Sequence, residues 1–460
     1  MACRTRAYCM HMSLISILLL ASTLVPAGSV STPTYRIELT HVDANGGFTR
    51  EELLQRAEDR AELKAAMLSN TDAKYTTSAE YSTYEYLMEL EIGESRQRFK
   101  AVADTGSEMV WTKKLENCRC DASHTFTRWS CSHPDVISEA NPKQVPCGCE
   151  ASTAAGSCCS KDGPCMFKKS YGSGSASGFM ATENLALPGK DPIRARLGCA
   201  IDRGNKMLLP PSADGVVGLN SGKDSLVRQL DVKKFAYCLS KRPLDGKTAP
   251  RSWLLFGDEL KLSAADSMSS SVATTPLVHA SDAKQNRVGN LKYHVQLDGI
   301  SIGTDEMHES VPKESFKLKS DKDGNKGVMF VDSGASITYL EKSVFERLLK
   351  LLNMEKFKLV ADGNENDNNN NNKKKYCYRL AHGVSEGPQL VLHFHEAKMH
   401  LPWANYMVES ELGSGLFCLK IGEHKEHSVL GNFQQQNMHM LFDLAHNKLQ
   451  FALHKDCSNL

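Results

Sequence analysis

The sequence has no surplus of charge. Lys and Arg total 55 against 54 Asp and Glu, a formal net charge of +1 at pH 7, so no overall field draws the molecule to nucleic acid or an anionic membrane. It has no Asn-x-Ser/Thr triplet either, so N-glycosylation says nothing about routing. Beyond the N-terminus no apolar run approaches the length needed to span a bilayer. Cysteine is plentiful, but the paired C-x2-C turns of a structural zinc site are missing: the close pairs are Cys118-x-Cys120, Cys147-x-Cys149 and adjacent Cys158-Cys159. Partner choice must therefore come from local sites.

The chain has 460 residues, 41% of them hydrophobic, enough for a large core and too long for one ordinary domain. Arg4 and Arg6 precede an apolar run from about Leu14 to Val25 that closes on Val25-Pro26-Ala27. That pattern predicts a secretory signal over residues 1–27, with a signal anchor as the alternative. Of 15 cysteines, Cys3 and Cys9 fall in this leader, which leaves an odd number in the exported chain. Cys118, Cys120, Cys131, Cys147, Cys149, Cys158, Cys159 and Cys165 crowd into residues 118–165, otherwise rich in Gly, Ser, Pro and charge. Such a segment cannot build an apolar core, so in an oxidising compartment it reads as a disulfide-stapled excursion, with a zinc knot as the rival.

Two acids set the organisation of the rest. Phe99 to Ala103 runs into Asp104-Thr105-Gly106-Ser107, and Val328 to Val331 runs into Asp332-Ser333-Gly334-Ala335. One Asp-Thr-Gly turn is ordinary strand-end chemistry. Two, one in each half of a chain long enough for two lobes, allow a pseudo-symmetric molecule to bring one carboxylate from each half to a central cleft. Each acid turn is followed far downstream by an apolar-Gly motif, Asp214-Gly215-Val216-Val217-Gly218 and Ser428-Val429-Leu430-Gly431. The repeat is structural as well as chemical.

Between leader and first strands, Thr49-Arg50-Glu51-Glu52 opens a helical pattern through Leu53, Leu54, Ala57, Ala61, Leu63 and Met67. It is either an ordinary N-terminal helix or part of a removable propeptide over 28–79. Short strand patterns follow at residues 86–92, 99–103, 109–111, 178–182, 185–187 and 196–200, then at 253–257, 293–297, 300–303 and 389–394. A helix is expected from Lys342 to about Leu352, with Val344, Phe345, Leu348, Leu349 and Leu352 on its apolar face. The Asn- and Lys-rich stretch 363–375 has nothing apolar to bury and is expected to be a disordered surface loop.

With these blocks in view the chain resembles a pepsin-like aspartic protease, specifically the plant nepenthesin-like branch, over nearly its whole length. Asp104-Thr105-Gly106-Ser107 with Trp111 resembles the first active-site block. Tyr171-Gly172-Ser173-Gly174-Ser175, followed by Gly178 to Glu183, resembles the flap hairpin. Phe235-Ala236-Tyr237-Cys238-Leu239 and Leu430-Gly431-Asn432-Phe433-Gln434-Gln435-Gln436-Asn437 resemble two further blocks, and the cysteine-rich insert is similar to the branch's own insertion. Leu39-Thr40-His41-Val42-Asp43 resembles the prosegment start of such zymogens, which favours the propeptide reading.

The resemblance implies an all-β, bilobal fold with pseudo-two-fold related lobes and a few short helices, an N-terminal lobe over 80–245 and a C-terminal lobe over 246–460. It implies a secreted, monomeric endopeptidase in the apoplast, or alternatively the vacuole, acting on proteins or peptides without metal, cofactor, nucleic acid or stable membrane association. Asp104 and Asp332 would be catalytic, because two adjacent carboxylates cannot both ionise cheaply and together activate a water. Thr105 and Ser333 would brace the turns, Gly106 and Gly334 would let backbone approach, and Ser107 would donate to Asp104. Tyr171 and Gly172 would form the flap tip, steadied by Trp111. Cys377–Cys418 and Cys238–Cys457 are the implied disulfides, and Cys199 has no assignable partner. Ala335 stands where relatives often carry a hydroxyl, so Asp332 is expected to lack a donor and the pH optimum to be less acidic. The alternative is a non-catalytic homologue that inhibits cell-wall glycanases; the intact acid turns speak against it.

Overall fold

The computed structural model describes residues 35–44, 46–68, 85–113, 125–129, 165–171, 174–200, 209–241, 250–262, 272–278, 291–303, 309–311, 328–353, 359–362, 376–380, 386–411, 413–425 and 428–460. The expected signal segment, all of the cysteine insert but residues 125–129 and Cys165, Gly172 and the stretch 363–375 lie outside them. The described chain is built mainly of strands in two lobes, with three sheets of fourteen, eight and four strands. Strands dominate because the apolar runs are short, rich in Val, Ile and Phe, and ended by Gly or Asp turns.

The fourteen-stranded sheet crosses both lobes. Strand β1 (Tyr35–His41) lies inside it, paired on one side with Ser252–Phe256 and on the other with β2 (Tyr86–Ile92), which in turn pairs with β3 (Gln97–Asp104). The sheet continues through the C-terminal strands, because Lys234–Cys238 pairs with Met438–Asp443. In that register Phe235 faces Phe442, and their rings stack 4.5 Å apart at 3°. Tyr293 closes on both rings, so aromatic surface from distant parts of the chain meets in one core.

The repeated motif of the sequence is a repeated strand pattern. β3 runs parallel to Gly215–Gly218, which pairs antiparallel with Val110–Thr112. In the other lobe Val328–Val331 runs parallel to Ser428–Leu430, which pairs antiparallel with Thr338–Glu341. Asn220 N–H donates to Ser107 O at 3.1 Å, and Asn432 N–H donates to Ala335 O at 2.7 Å. Each half thus closes its acid turn with a bond from an Asn just past the motif glycine, two residues beyond Gly218 in one half and one beyond Gly431 in the other.

Helix α1 spans Arg50–Leu68. It starts where a capping box allows: Thr49 N–H donates to Glu52 Oε2 at 2.8 Å and Glu52 N–H to Thr49 Oγ1 at 3.2 Å. A short helix α2 covers Leu226–Gln229, and α3 covers Lys342–Leu352 with Val344, Phe345, Leu348 and Leu352 buried as its periodicity predicts, while Leu349 is only partly buried and Leu351 is buried instead. Two expected strands at 293–297 and 300–303 are one strand, His294–Ile302, whose register shifts between Leu297 and Gly299. That irregularity is what the alternation pattern registers as a break. Disulfides join Cys238 to Cys457 and Cys377 to Cys418, the two pairs the resemblance implies, and Cys199 is also disulfide-bonded.

Candidate active site

Both acids stand where a strand ends in a tight turn. Asp104 closes β3, and Asp332 follows Val328–Val331. Each carboxylate is held by the N–H two residues on: Gly106 N–H donates to Asp104 Oδ1 at 2.9 Å, and Gly334 N–H to Asp332 Oδ1 at 2.8 Å. The glycines are required by proximity. A Cβ at Gly106 would fall 2.8 Å from Asp332 Oδ1, and one at Gly334 would fall 2.5 Å from Asp104 Oδ1. Each turn therefore reaches the acid of the other, and the two carboxylates share one small space.

The turns are also bonded to one another. Thr105 N–H donates to Ser333 Oγ at 3.0 Å and Ser333 N–H to Thr105 Oγ1 at 2.9 Å. The hydroxyls pass their own protons onward, Thr105 to Val331 O at 3.1 Å and Ser333 to Ala103 O at 2.9 Å. All four groups are buried and satisfied, which makes the brace stiff. Asp104 and Asp332 are only 4% and 3% exposed, so charge on either meets little screening water.

The surroundings of the pair differ from expectation at Ser107. Its hydroxyl is buried and makes no hydrogen bond among the described residues, so it does not donate to Asp104. Ala335, at the equivalent position, packs fully buried with Phe330, Tyr339 and Val429. Neither acid has a hydroxyl donor from this position, and the expected asymmetry between them is absent.

Above the first turn, Met166–Tyr171 and Gly174–Ala186 form a hairpin with Tyr171 opposite Gly174. Trp111 Nε1 donates to Tyr171 Oη at 2.7 Å. Burial, and then the charge of Asp104, raise the Tyr171 pKa far above that of a free phenol. The phenol stays protonated at every working pH. Lys169 on the same strand lies with Nζ 3.7 Å from Glu108 Oε2, an ion pair between hairpin and acid turn. Below Asp332, burial followed by that acid's charge raises Tyr237, whose hydroxyl donates to Gln435. Gln435 in turn donates to Leu430 O at 2.8 Å, and Asn432 Nδ2 to Ser333 O at 3.1 Å. The sequence offered these residues only as parts of motif blocks, with no sign of whom they would bond. Among the described residues one cluster has the spacing of metal ligands, Cys238, His454 and Cys457, and its two sulfurs are joined to each other.

One element beside the site was not read as part of it. Helix α1 packs over the chain just past Asp332. Tyr339 donates to Ala61 O, Lys420 Nζ lies 3.0 Å from Glu58 Oε1, and Arg50 Nη2 donates to Glu409 O at 2.8 Å. A cavity beneath it is walled by Leu53, Leu54, Ala57 and Arg60 of the helix and by Glu85, Ser336, Ile337 and Phe433 of the body. Arg60 is wholly buried, 2.8 Å from Asp43 Oδ2 and 2.9 Å from Glu85 Oε1. Burial works against its charge, but the two carboxylates outweigh that and raise its pKa.

Comparison with known proteins decides the lineage. A family model described as Xylanase inhibitor N-terminal matches residues 86–258, and one described as Xylanase inhibitor C-terminal matches residues 292–453. The chain is 28% identical over 425 residues to aspartic proteinase nepenthesin-1 of Nepenthes gracilis, covering 91% of this chain and 89% of that one. The chain belongs to the pepsin-like aspartic protease family, in its plant nepenthesin-like branch. It is likewise 28% identical over 489 residues to aspartyl protease 37 of Oryza sativa subsp. japonica, covering 95% and 97% of the two chains. Among solved structures the fold is similar to edgp, with a TM-score of 0.62 at 16% identity over 93% and 98% of the chains. It is similar also to basic 7S globulin from soybean, with a TM-score of 0.59 at 19% identity over 81% and 95%. Both show the pepsin-like architecture. Among the described residues of this family member no helix is long and apolar enough to cross a membrane.

Proposed function

We propose that the protein is a secreted aspartic endopeptidase, made as a zymogen and active in acid. The observation that carries this is the reciprocal Thr105–Ser333 brace, which holds two buried carboxylates within reach of one water molecule. A structural protein has no need of such a pair, because burying like charges side by side costs stability. The pair titrates as a unit and keeps one proton in acid. The ionised member takes a proton from the attacking water as its oxygen bonds to the peptide carbon. The protonated member gives its proton to the carbonyl oxygen, forming a gem-diol. Collapse of that intermediate breaks the C–N bond. The protonated member gives its proton to the leaving nitrogen while a gem-diol hydroxyl passes its proton to the ionised member as the new C=O forms, so the pair ends with the one proton it began with. No covalent enzyme intermediate is formed.

Residues 28–79 are the removable segment in this reading, and α1, lying over the wall next to Asp332, is what blocks the cleft beforehand. The leader over 1–27 supplies export. Relatives named as aspartic proteases support the peptidase reading. The family models' description as xylanase inhibitor favours a second reading, a non-catalytic inhibitor of a glycanase. One assay separates them: cleavage of denatured protein over roughly pH 3–6, the window of a shared carboxylate proton, with and without pepstatin, against Asp104→Asn. Pepstatin-sensitive cleavage lost in the variant supports the protease. A processed protein inert across that range, yet inhibiting xylanase, overturns it.

A further inference from the structure

We propose that the cavity between α1 and the body is a binding site for a small apolar carboxylic acid, separate from the acid pair. Its volume is about 210 Å³, more than the roughly 150 Å³ in which an apolar cavity takes up a benzene ring. Asp104, Asp332 and the Tyr171 hairpin are not among the described residues that line it. Leu53, Leu54, Ala57, Ile337, Met407 and Phe417 supply apolar walls, and three hydrogen-bond donors stand among them. Two of these are buried and have no acceptor among the described residues: the hydroxyl of Ser336, a residue 2% exposed, and the indole N–H of Trp403, 6% exposed. A buried donor left unmade is costly, and a ligand oxygen that accepts from it recovers that cost.

The third donor is the Lys241 ammonium. Lys241 is exposed overall, so the cavity meets solvent on its side. Desolvation by its surroundings lowers its pKa, and no carboxylate among the described residues acts to raise it. The other charged groups on the walls are already engaged. Arg60 holds Glu85 at 2.9 Å, Lys420 holds Glu58 at 3.0 Å, and Glu409 Oε1 accepts from Gly415 N–H at 3.0 Å. The matching ligand therefore brings one negative end for Lys241, oxygens that accept from Ser336 and Trp403, and an apolar body. An alcohol offers an acceptor without the charge, and an amine offers the wrong charge. Because Leu53, Leu54 and Ala57 belong to α1 and the three donors to the body, a bound acid touches both and favours the docked helix. In a zymogen it would slow release of the N-terminal segment, but the binding itself does not depend on the protease reading.

The test uses the full, unprocessed chain at neutral pH. The probes are octanoate and phenylacetate, with octanol and octylamine as bodies of similar size that lack the carboxylate. Titration calorimetry is expected to give one equivalent of at least one acid, bound about tenfold tighter than the alcohol or the amine, the size of a hydrogen bond to a charged group. Hydrogen exchange over residues 50–61 should slow as the acid saturates. Lys241→Met should weaken the acid about tenfold and leave octanol unchanged, and Ser336→Ala should weaken it about threefold. Ala57→Leu fills the cavity from the helix side and should abolish binding, with circular dichroism showing that the variant is folded. Equal binding of octanol or octylamine, several weak equivalents, an affinity indifferent to both Lys241→Met and Ser336→Ala, or neither heat nor slowed exchange at millimolar acid overturns the inference. None of these readouts needs peptide cleavage, so a failure here leaves the protease reading as it was, and an inactive protein still decides on the cavity.

Discussion

Thr105 and Ser333 each use their hydroxyl to accept the other's backbone N–H, at 2.9 and 3.0 Å. Neither acid turn can be placed without the other, so the brace couples the stability of the lobes to the geometry of the pair. Thr105→Val leaves the Ser333 N–H buried without an acceptor and is expected to cost about 1–3 kcal/mol. Urea unfolding reads that loss, and kcat falls with it, while Thr105→Ser restores both. Stability equal to wild type in the Val variant would show that the brace contributes nothing.

The hydroxyl position three residues beyond each acid behaves differently from what the motif suggests. Because Ser107 Oγ makes no hydrogen bond among the described residues, Ser107→Ala is expected to leave the acid limb of the pH–rate profile in place. Ala335→Ser inserts a hydroxyl among Phe330, Tyr339 and Val429 and should destabilise by about 1–3 kcal/mol without moving that limb. A shift of the limb toward acid in the Ala335→Ser variant would restore the idea that a donor there favours the ionised acid.

Tyr171 and Lys169 hold the hairpin to the first acid turn by different means. Tyr171→Phe deletes the acceptor of the Trp111 indole N–H and should lower kcat/KM by about three- to tenfold, the worth of one neutral hydrogen bond. Lys169→Met breaks a pair that is partly exposed, so its effect should be smaller, fall mainly on KM, and fade as salt rises. Charge reversal, Glu108→Lys with Lys169→Glu, should recover the loss.

How much of this was legible beforehand follows from the range of the interactions. The Asp turns are local chemistry, an acid, a small hydroxyl residue and a glycine at a strand end, and the sequence displays them. The periodicity of residues 342–352 likewise announces α3. The partners of Arg60 were not legible: Glu85 lies 25 residues away, and nothing at either position marks one for the other. The place of β1 between β2 and residues 252–256 was hidden for the same reason. Strand pairing is a choice among distant segments with similar apolar patterns. At Ser107 the motif gave the residue type correctly, and the orientation of a single hydroxyl decided the bond.

Arg60 offers a direct handle on the docking of α1. Arg60→Met removes a buried cation shared by two buried acids, Glu85 and Asp43, the latter also paired with Arg56 at 2.8 Å, a change expected to cost about 3–5 kcal/mol. That cost falls on the docking of α1, so hydrogen exchange over 50–61 should accelerate at neutral pH before the strands of the body change. Unaltered exchange in the helix would mean that apolar packing alone keeps it in place.

Buried phenols set the alkaline limit. Burial raises Tyr171, Tyr237, Tyr293 and Tyr406 far above the ordinary 10.0, and Tyr378 to about 12. A group whose folded pKa is raised contributes stability that is whole below the unfolded value and lost as pH rises through the folded one. Stability should therefore decline from about pH 10 upward, with tyrosinate absorbance appearing together with loss of near-ultraviolet dichroism. Ionisation of all tyrosines ahead of unfolding would contradict their burial.

β1 contributes Ile37 and Leu39 to the main core and hydrogen-bonds on both flanks. If residues up to about 79 are cut away, the body left behind is no longer the chain that found this fold. Its thermodynamic minimum need not be the shape it holds, and its persistence becomes a matter of how slowly it unfolds. The processed protein should then denature irreversibly, while the full chain regains its structure from urea. Maturation would in that case be a one-way passage from a protein kept by equilibrium to one kept by a barrier.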